Sequence, residues 1–311
     1  MSGDAGSGGP GRGATARLAL LALLLQGGSA PLPPSPSAVT VGRVTVVAWP
    51  EQAALGAALA EAADRSGPFP GLGPLPARPI RLILAATRAR FDSITRSRLP
   101  SWSEGAAFPE AGAVVLFAAG PPERLTAALR HELAHLALRW RLGHRLPLWF
   151  EEGYAAFAAA EWDRLDALKL NWQIARGVRM DLDQLDQALR ADRGEAATAY
   201  ALATTAVLLL HRWGGARGLA PLLEELAHTP SFEAALRATY RITEGDFELR
   251  WQREVASRYG WLAWAEAVGL FWALTGLLLI WLVWRRRRRD RARRALLDEG
   301  WAVPPGEEPS A

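Results

Sequence analysis

The sequence predicts an α+β fold: a small N-terminal mixed sheet packed on a mostly helical subdomain, followed by a single C-terminal transmembrane helix. Three observations carry this reading. Strand and helix signals alternate up to about residue 118. Helical periodicity then dominates from Pro121 onward. Finally, seventeen uncharged residues, Val268–Trp284, run into a block of arginines. Strands followed by helices, rather than interleaved with them, give α+β rather than α/β. At 311 residues the chain can bury a substantial core. It has no cysteine, which excludes a disulfide framework and a cysteine-ligated zinc site.

Taken in order, residues 1–38 read as a signal peptide and a Pro-rich linker. Arg12 and Arg17 precede an apolar stretch, Leu18–Leu25, that is too short to span a bilayer. Small residues follow at Gly28, Ser29 and Ala30, although Pro31 disfavours cleavage after Ala30 and leaves a retained anchor as the alternative. The body begins with a β-branched strand, Arg43–Ala48, and an Ala/Leu-rich helix, Glu51–Arg65. A Gly/Pro loop leads to a strand at Ile80–Ala86, a polar helix at Arg88–Arg98 and a strand at Ala113–Ala118. Helices are predicted at Glu123–Arg141, Leu148–Glu161, Leu182–Arg190, Thr198–Trp213, Ala216–Ala227, Phe232–Ala238 and Glu244–Ser257. The acidic, Pro/Gly-containing end of the chain, residues 295–311, reads as disordered.

The charge distribution bears on partners. The formal net charge is +4, but residues 285–294 alone hold eight Arg and one Asp, and residues 39–284 balance to zero. A nucleic-acid-binding domain places its basic residues on a folded face, so a neutral body excludes that class. The arginines instead flank the apolar segment. Residues 261–284 are long enough for a helix to cross a hydrocarbon core of roughly 30 Å. Trp261 and Trp264 at one end and Trp281 and Trp284 at the other resemble interfacial belts. Basic residues stay inside, so the body is expected outside the membrane and residues 285–311 form a cytoplasmic tail touching anionic lipid. Gly269, Ala273 and Gly276 share a face, as is ordinary for such helices.

The chemistry is concentrated in HELAH, residues 131–135, in the middle of a predicted helix. Spacing of i, i+4 puts His131 and His135 one turn apart on one face, able to share a metal, with Glu132 beside them. With five His in the chain, about 0.005 such matches are expected by chance. A catalytic zinc needs a third protein ligand and an open position. The candidates are His144, Glu151 and Glu152; His144 lies nine residues after His135, at odds with the HExxHxxGxxH spacing.

HELAH followed by LPLWFEEGYA resembles the gluzincin metallopeptidases, whose ligands are the two histidines and the Glu preceding Gly in a W-x-x-E-G-x-A segment. The resemblance implies Glu152 as third ligand, Zn2+ as cofactor and a protein or peptide as substrate. It extends over residues 40–258 to the peptidase MA-like families of bacterial envelope proteins, in which Pro100, Trp102 and Gly105 match a P-x-W-x-x-G-x-A stretch. It implies a zincin-like catalytic domain, residues 39–258, in which Glu132 serves as general base and then acid. A Tyr or His from a later helix stabilises the oxyanion in relatives. Tyr200 is the choice here, with Tyr154 and Tyr240 as rivals. Two departures stand out. Ala156 occupies the position where some gluzincins carry an Asp that orients a histidine, and the interval from His135 to Glu152 is short. No motif for a free N-terminus is present, which leans towards an endopeptidase. Substrate is expected along Ala113–Ala118 if that strand is the exposed edge. A non-catalytic envelope module or a structural zinc site competes with this reading, but all of His131, Glu132, His135 and Glu152 are present.

Overall fold

The computed structural model describes residues 35–300 except 98, 162, 163 and 260. The predicted signal peptide up to residue 34 and the last eleven residues lie outside the described residues. The fold is α+β, as predicted. A hairpin opens it: β1 (Ser37–Val41) pairs antiparallel with β2 (Val44–Ala48). β1 begins two residues inside the predicted linker and was not anticipated, because it is a short, largely exposed edge strand directly after the Pro-rich stretch. β3 (Ile80–Ala85) lies parallel to β2, and β5 (Ala113–Phe117) lies parallel to β3. β4 (Gly105–Phe108), also unanticipated, pairs antiparallel with β5, so the strand order is β1-β2-β3-β5-β4.

This order corrects one expectation. Ala113–Ala118 is not the edge of the sheet. β5 sits between β3 and β4 and is buried on both faces, which its uninterrupted AVVLF requires. Val114 and Leu116 enter the main core, while Val115 joins Ala85, Phe91 and Ala106 on the other side. α1 (Ala53–Asp64) packs against β1 and β2, α2 (Arg88–Thr95) packs against β3 and β5, and α3 (Pro122–Leu142) lies along β4 and β5. The free edge beside α3 is therefore β4.

The helical half is organised around the pairing of α4 (Leu148–Ala158) with α7 (Arg193–Trp213). Gly153 makes this possible: a Cβ there would meet the Ala203 backbone carbonyl at 2.5 Å. Trp149, fully buried on α4, packs its ring 5.3 Å from Phe232 and 5.7 Å from Phe247, so α9 (Phe232–Tyr240) and α10 (Glu244–Tyr259) clamp it. Burying such a side chain is worth roughly 1.5–3 kcal/mol. α5 (Arg164–Ala175), α6 (Leu182–Ala188) and α8 (Ala220–Leu226) complete the half. α5 was not predicted, since its charged and apolar residues give only a weak amphipathic pattern. The predicted helix to Glu161 ends at Ala158, and α7 starts five residues earlier than expected because Asp192 caps it.

The last helix, α11 (Trp261–Gly300), contains the predicted span and packs against α5 and α10. It runs on through residues 295–300, which were expected to be disordered. Among the described residues no helix is long and apolar enough to cross a membrane. Side chains of residues 261–270, the first part of the predicted span, lie outside the described residues.

Candidate metal centre

α3 and α4 meet as an antiparallel pair across a short turn, and the site forms where they face each other. α3 carries His131 and His135 one turn apart, their ring centroids separated by 5.1 Å. α4 begins after Pro147, with its first amides held by Asp186 of α6. The Trp149 amide donates to Asp186 Oδ1 at 2.7 Å, and the Leu148 amide donates to Oδ2 at 3.3 Å. So anchored, α4 presents Glu152 to both histidines: Oε2 lies 3.4 Å from His131 Nε2 and 3.7 Å from His135 Nε2.

His131, His135 and Glu152 each offer a ligand atom, all within 4.8 Å of one another, and together could hold a metal ion. The donor set fits: two imidazole nitrogens and a carboxylate oxygen suit zinc, and tetrahedral ligands at roughly 2.0–2.2 Å lie about 3.4 Å apart. The other candidates are placed elsewhere. His144 Nε2 bonds the Leu226 carbonyl at 2.8 Å, and Glu151 Oε1 accepts from the Leu146 amide at 2.9 Å, holding the turn before α4.

Glu132 is buried beside the ligands, and its carboxylate accepts from the Ala107 amide of edge strand β4. Gly105 on the same strand packs directly on the Glu132 carboxyl group, where a Cβ would collide with it. Tyr200 on α7 donates its hydroxyl to Glu152. Its ring stands 6.0 Å from Trp102 and 6.3 Å from His131. The rival tyrosines are structural: Tyr154 donates to the Pro70 carbonyl at 2.9 Å and Tyr240 to the Leu210 carbonyl at 3.1 Å.

One polar partner escaped the sequence. Glu161 Oε2 lies 3.1 Å from His131 Nδ1, an arrangement that fixes which ring nitrogen faces the ligand cluster. It does what an Asp at position 156 would do, from a residue beyond the end of α4. Ala160 turns the chain back with a left-handed φ of 56°, and the Glu161 amide bonds the Ala156 carbonyl at 3.1 Å. A non-glycine residue there costs on the order of 1 kcal/mol, strain stored next to the site. The only hint in the sequence was the vacancy at Ala156.

The electrostatics follow from burial and proximity. Burial pulls the His131 pKa down, but hydrogen bonds with Glu152 and Glu161 outweigh it and leave the pKa well above the usual imidazole value. His135, with burial dominant, falls below that value. Burial alone would raise Glu152, but His135, His131 and the Tyr200 hydroxyl hold it at about 2, so it is ionised. Glu132 is pushed up to about 7, chiefly by burial, against the pull of His131. Burial and the Glu152 charge raise Tyr200 far above the ordinary phenol value, so its hydroxyl stays protonated.

These groups line one open cleft of about 650 Å³, bordered along one side by residues Trp102–Glu110 and therefore by the free edge of β4. Compared with known protein families, residues 72–257 match the model of the Peptidase MA superfamily. No curated protein matches the chain.

Proposed function

The chain belongs to the Peptidase MA superfamily, and from that premise we propose that it is a zinc-dependent endopeptidase, membrane-anchored with its catalytic domain outside the cytoplasm. One observation carries the reading: His131, His135 and Glu152 converge, with buried Glu132 beside them, in a cleft bordered by an edge strand. Zinc held by the three ligands would supply a Lewis acid that polarises the scissile carbonyl and acidifies the attacking water. Glu132 takes a proton from that water and passes it to the leaving amine. A buried carboxyl group beside the ligands, held by the Ala107 amide, is placed to accept and return that proton. Tyr200, kept protonated, would turn its one hydroxyl proton from Glu152 to the carbonyl oxygen as negative charge grows there. Protein or peptide substrate lies extended along β4, whose outer edge replaces Ala113–Ala118 in this role.

Anchoring and sidedness are supported by the tryptophans and the arginine block flanking residues 261–284. Large apolar side chains from Phe271 to Trp284 also stand exposed on α11, as a lipid-facing helix would hold them. The cytoplasmic tail would then meet anionic lipid.

The test uses the full chain, purified in detergent micelles and stripped of metal. Added zinc is expected to restore hydrolysis of casein and of internal bonds in a peptide library, and a chelator to abolish it. Hydrolysis that persists with chelator, or none with zinc, contradicts the proposal.

A further inference from the structure

A second cavity, about 750 Å³, lies between α5 and α7 and shares three lining residues with the metal cleft, Glu161, Ala197 and Tyr200. Its far wall is mainly apolar, although Asp166, Lys169, Gln173, Thr198 and Thr204 also line it. Leu168 and Trp172 project from α5, and Ala197 and Ala201 recede on α7, one turn apart on a single face. Small residues on one helix opposite large ones on the other leave open space instead of packed core. Leu168 and Trp172 remain 52% and 47% exposed, although both are side chains that folding normally buries. The cavity falls within the range of small-ligand sites. The charged side chain between cavity and metal cleft, Glu161, is occupied with His131.

We propose that this cavity is the specificity subsite of the peptidase reading, receiving a large apolar or aromatic side chain of the substrate at a position adjacent to the scissile bond. The inference rests on that reading. Continuity decides the occupant: Tyr200 bonds the ligand Glu152 and also lines the cavity, so whatever fills the cavity lies against the reacting groups. In an extended chain neighbouring residues are about 3.3 Å apart along the strand, so a residue flanking the scissile bond is within reach of this opening. An acidic side chain meets Glu161 at the metal side, and Lys169 on the lining is paired with Asp166, while a small side chain leaves the apolar walls wet.

The experiment compares fluorogenic peptides that differ at one position next to the cleaved bond, Phe or Leu against Ala or Asp, using the full chain with zinc. The ratio of kcat/KM for Phe over Ala is expected to be tenfold or more, the range of apolar-pocket discrimination. Ala201→Phe, which fills the cavity, is expected to collapse that ratio towards one. Trp172→Ala, at a half-exposed position that does not hold the fold together, is expected to lower it several-fold. Hydrolysis without preference in the wild-type chain, or a preference unchanged in both variants, overturns the subsite and leaves the peptidase reading standing. A chain that hydrolyses neither these peptides nor casein overturns both.

Discussion

The metal cleft and the apolar cavity share Glu161, Ala197 and Tyr200 as walls but are built in opposite ways. In the cleft the groups around the metal ligands are paired: Glu152 meets both histidines and Tyr200, His131 meets Glu161, and Glu132 meets the Ala107 amide. Buried charges are costly unless paired, so this network has one low-energy arrangement and holds its side chains still. The cavity instead has apolar walls left partly in water, a condition relieved by an apolar occupant. Rigid polar groups suit chemistry, and unsatisfied apolar surface suits selection. The pair separates turnover from choice of substrate.

That separation can be broken or sharpened by substitution. Among substitutions outside the metal ligands and Glu132, the largest effect is expected for Tyr200→Phe, which removes the hydroxyl but keeps the ring. kcat falls about 10²- to 10³-fold if the hydroxyl stabilises the developing oxyanion. Steady-state kinetics checks this, and a change confined to KM would return Tyr200 to a purely structural role. Next is Glu161→Ala, expected to weaken zinc affinity about 10- to 100-fold by freeing His131 Nδ1, measured by competition with a chromophoric chelator. Unchanged affinity would assign Glu161 to the cavity alone.

Acidity tests the same network. In the metal-free chain His131 is protonated below its raised pKa, and a metal must displace that proton. Each pH unit below that value is therefore expected to lower apparent zinc affinity about tenfold, with the loss disappearing above it. Metal titrations at several pH values give the slope, and a flat profile would show that no proton is exchanged at His131. The smallest effect is expected for the stability of Trp172→Ala. A half-exposed side chain contributes less than about 1 kcal/mol, whereas Trp149→Ala in the aromatic clamp costs about 3–5 kcal/mol. Denaturant unfolding compares the two.

Sequence legibility follows the same division. HELAH was readable because helix periodicity puts His131 and His135 on one face; a short turn returns the Glu151–Glu152 pair to them, and it was the resemblance that singled out Glu152. β2, β3 and β5 were readable as β-branched or aliphatic runs. β4 was not, because GAAF has no strand signature of its own and becomes a strand by pairing with β5. Its missing signal displaced the expected substrate edge by one strand. α5 was hidden because its apolar residues Leu168 and Trp172 are half exposed, so no continuous buried stripe marks it. Glu161 was hidden because its partner is thirty residues earlier in the chain, and a left-handed Ala160 brings it back where sequence would favour glycine.

The central claim is that Glu132 moves the proton in a zinc-dependent hydrolysis while His131, His135 and Glu152 hold the metal. The direct measurement is zinc content and peptide turnover in the full chain and in Glu132→Gln. Both are predicted to bind one zinc per chain, with turnover in the variant lower by about 10²- to 10⁴-fold. Equal turnover in the two, or a wild-type chain that takes up no zinc, would contradict the account.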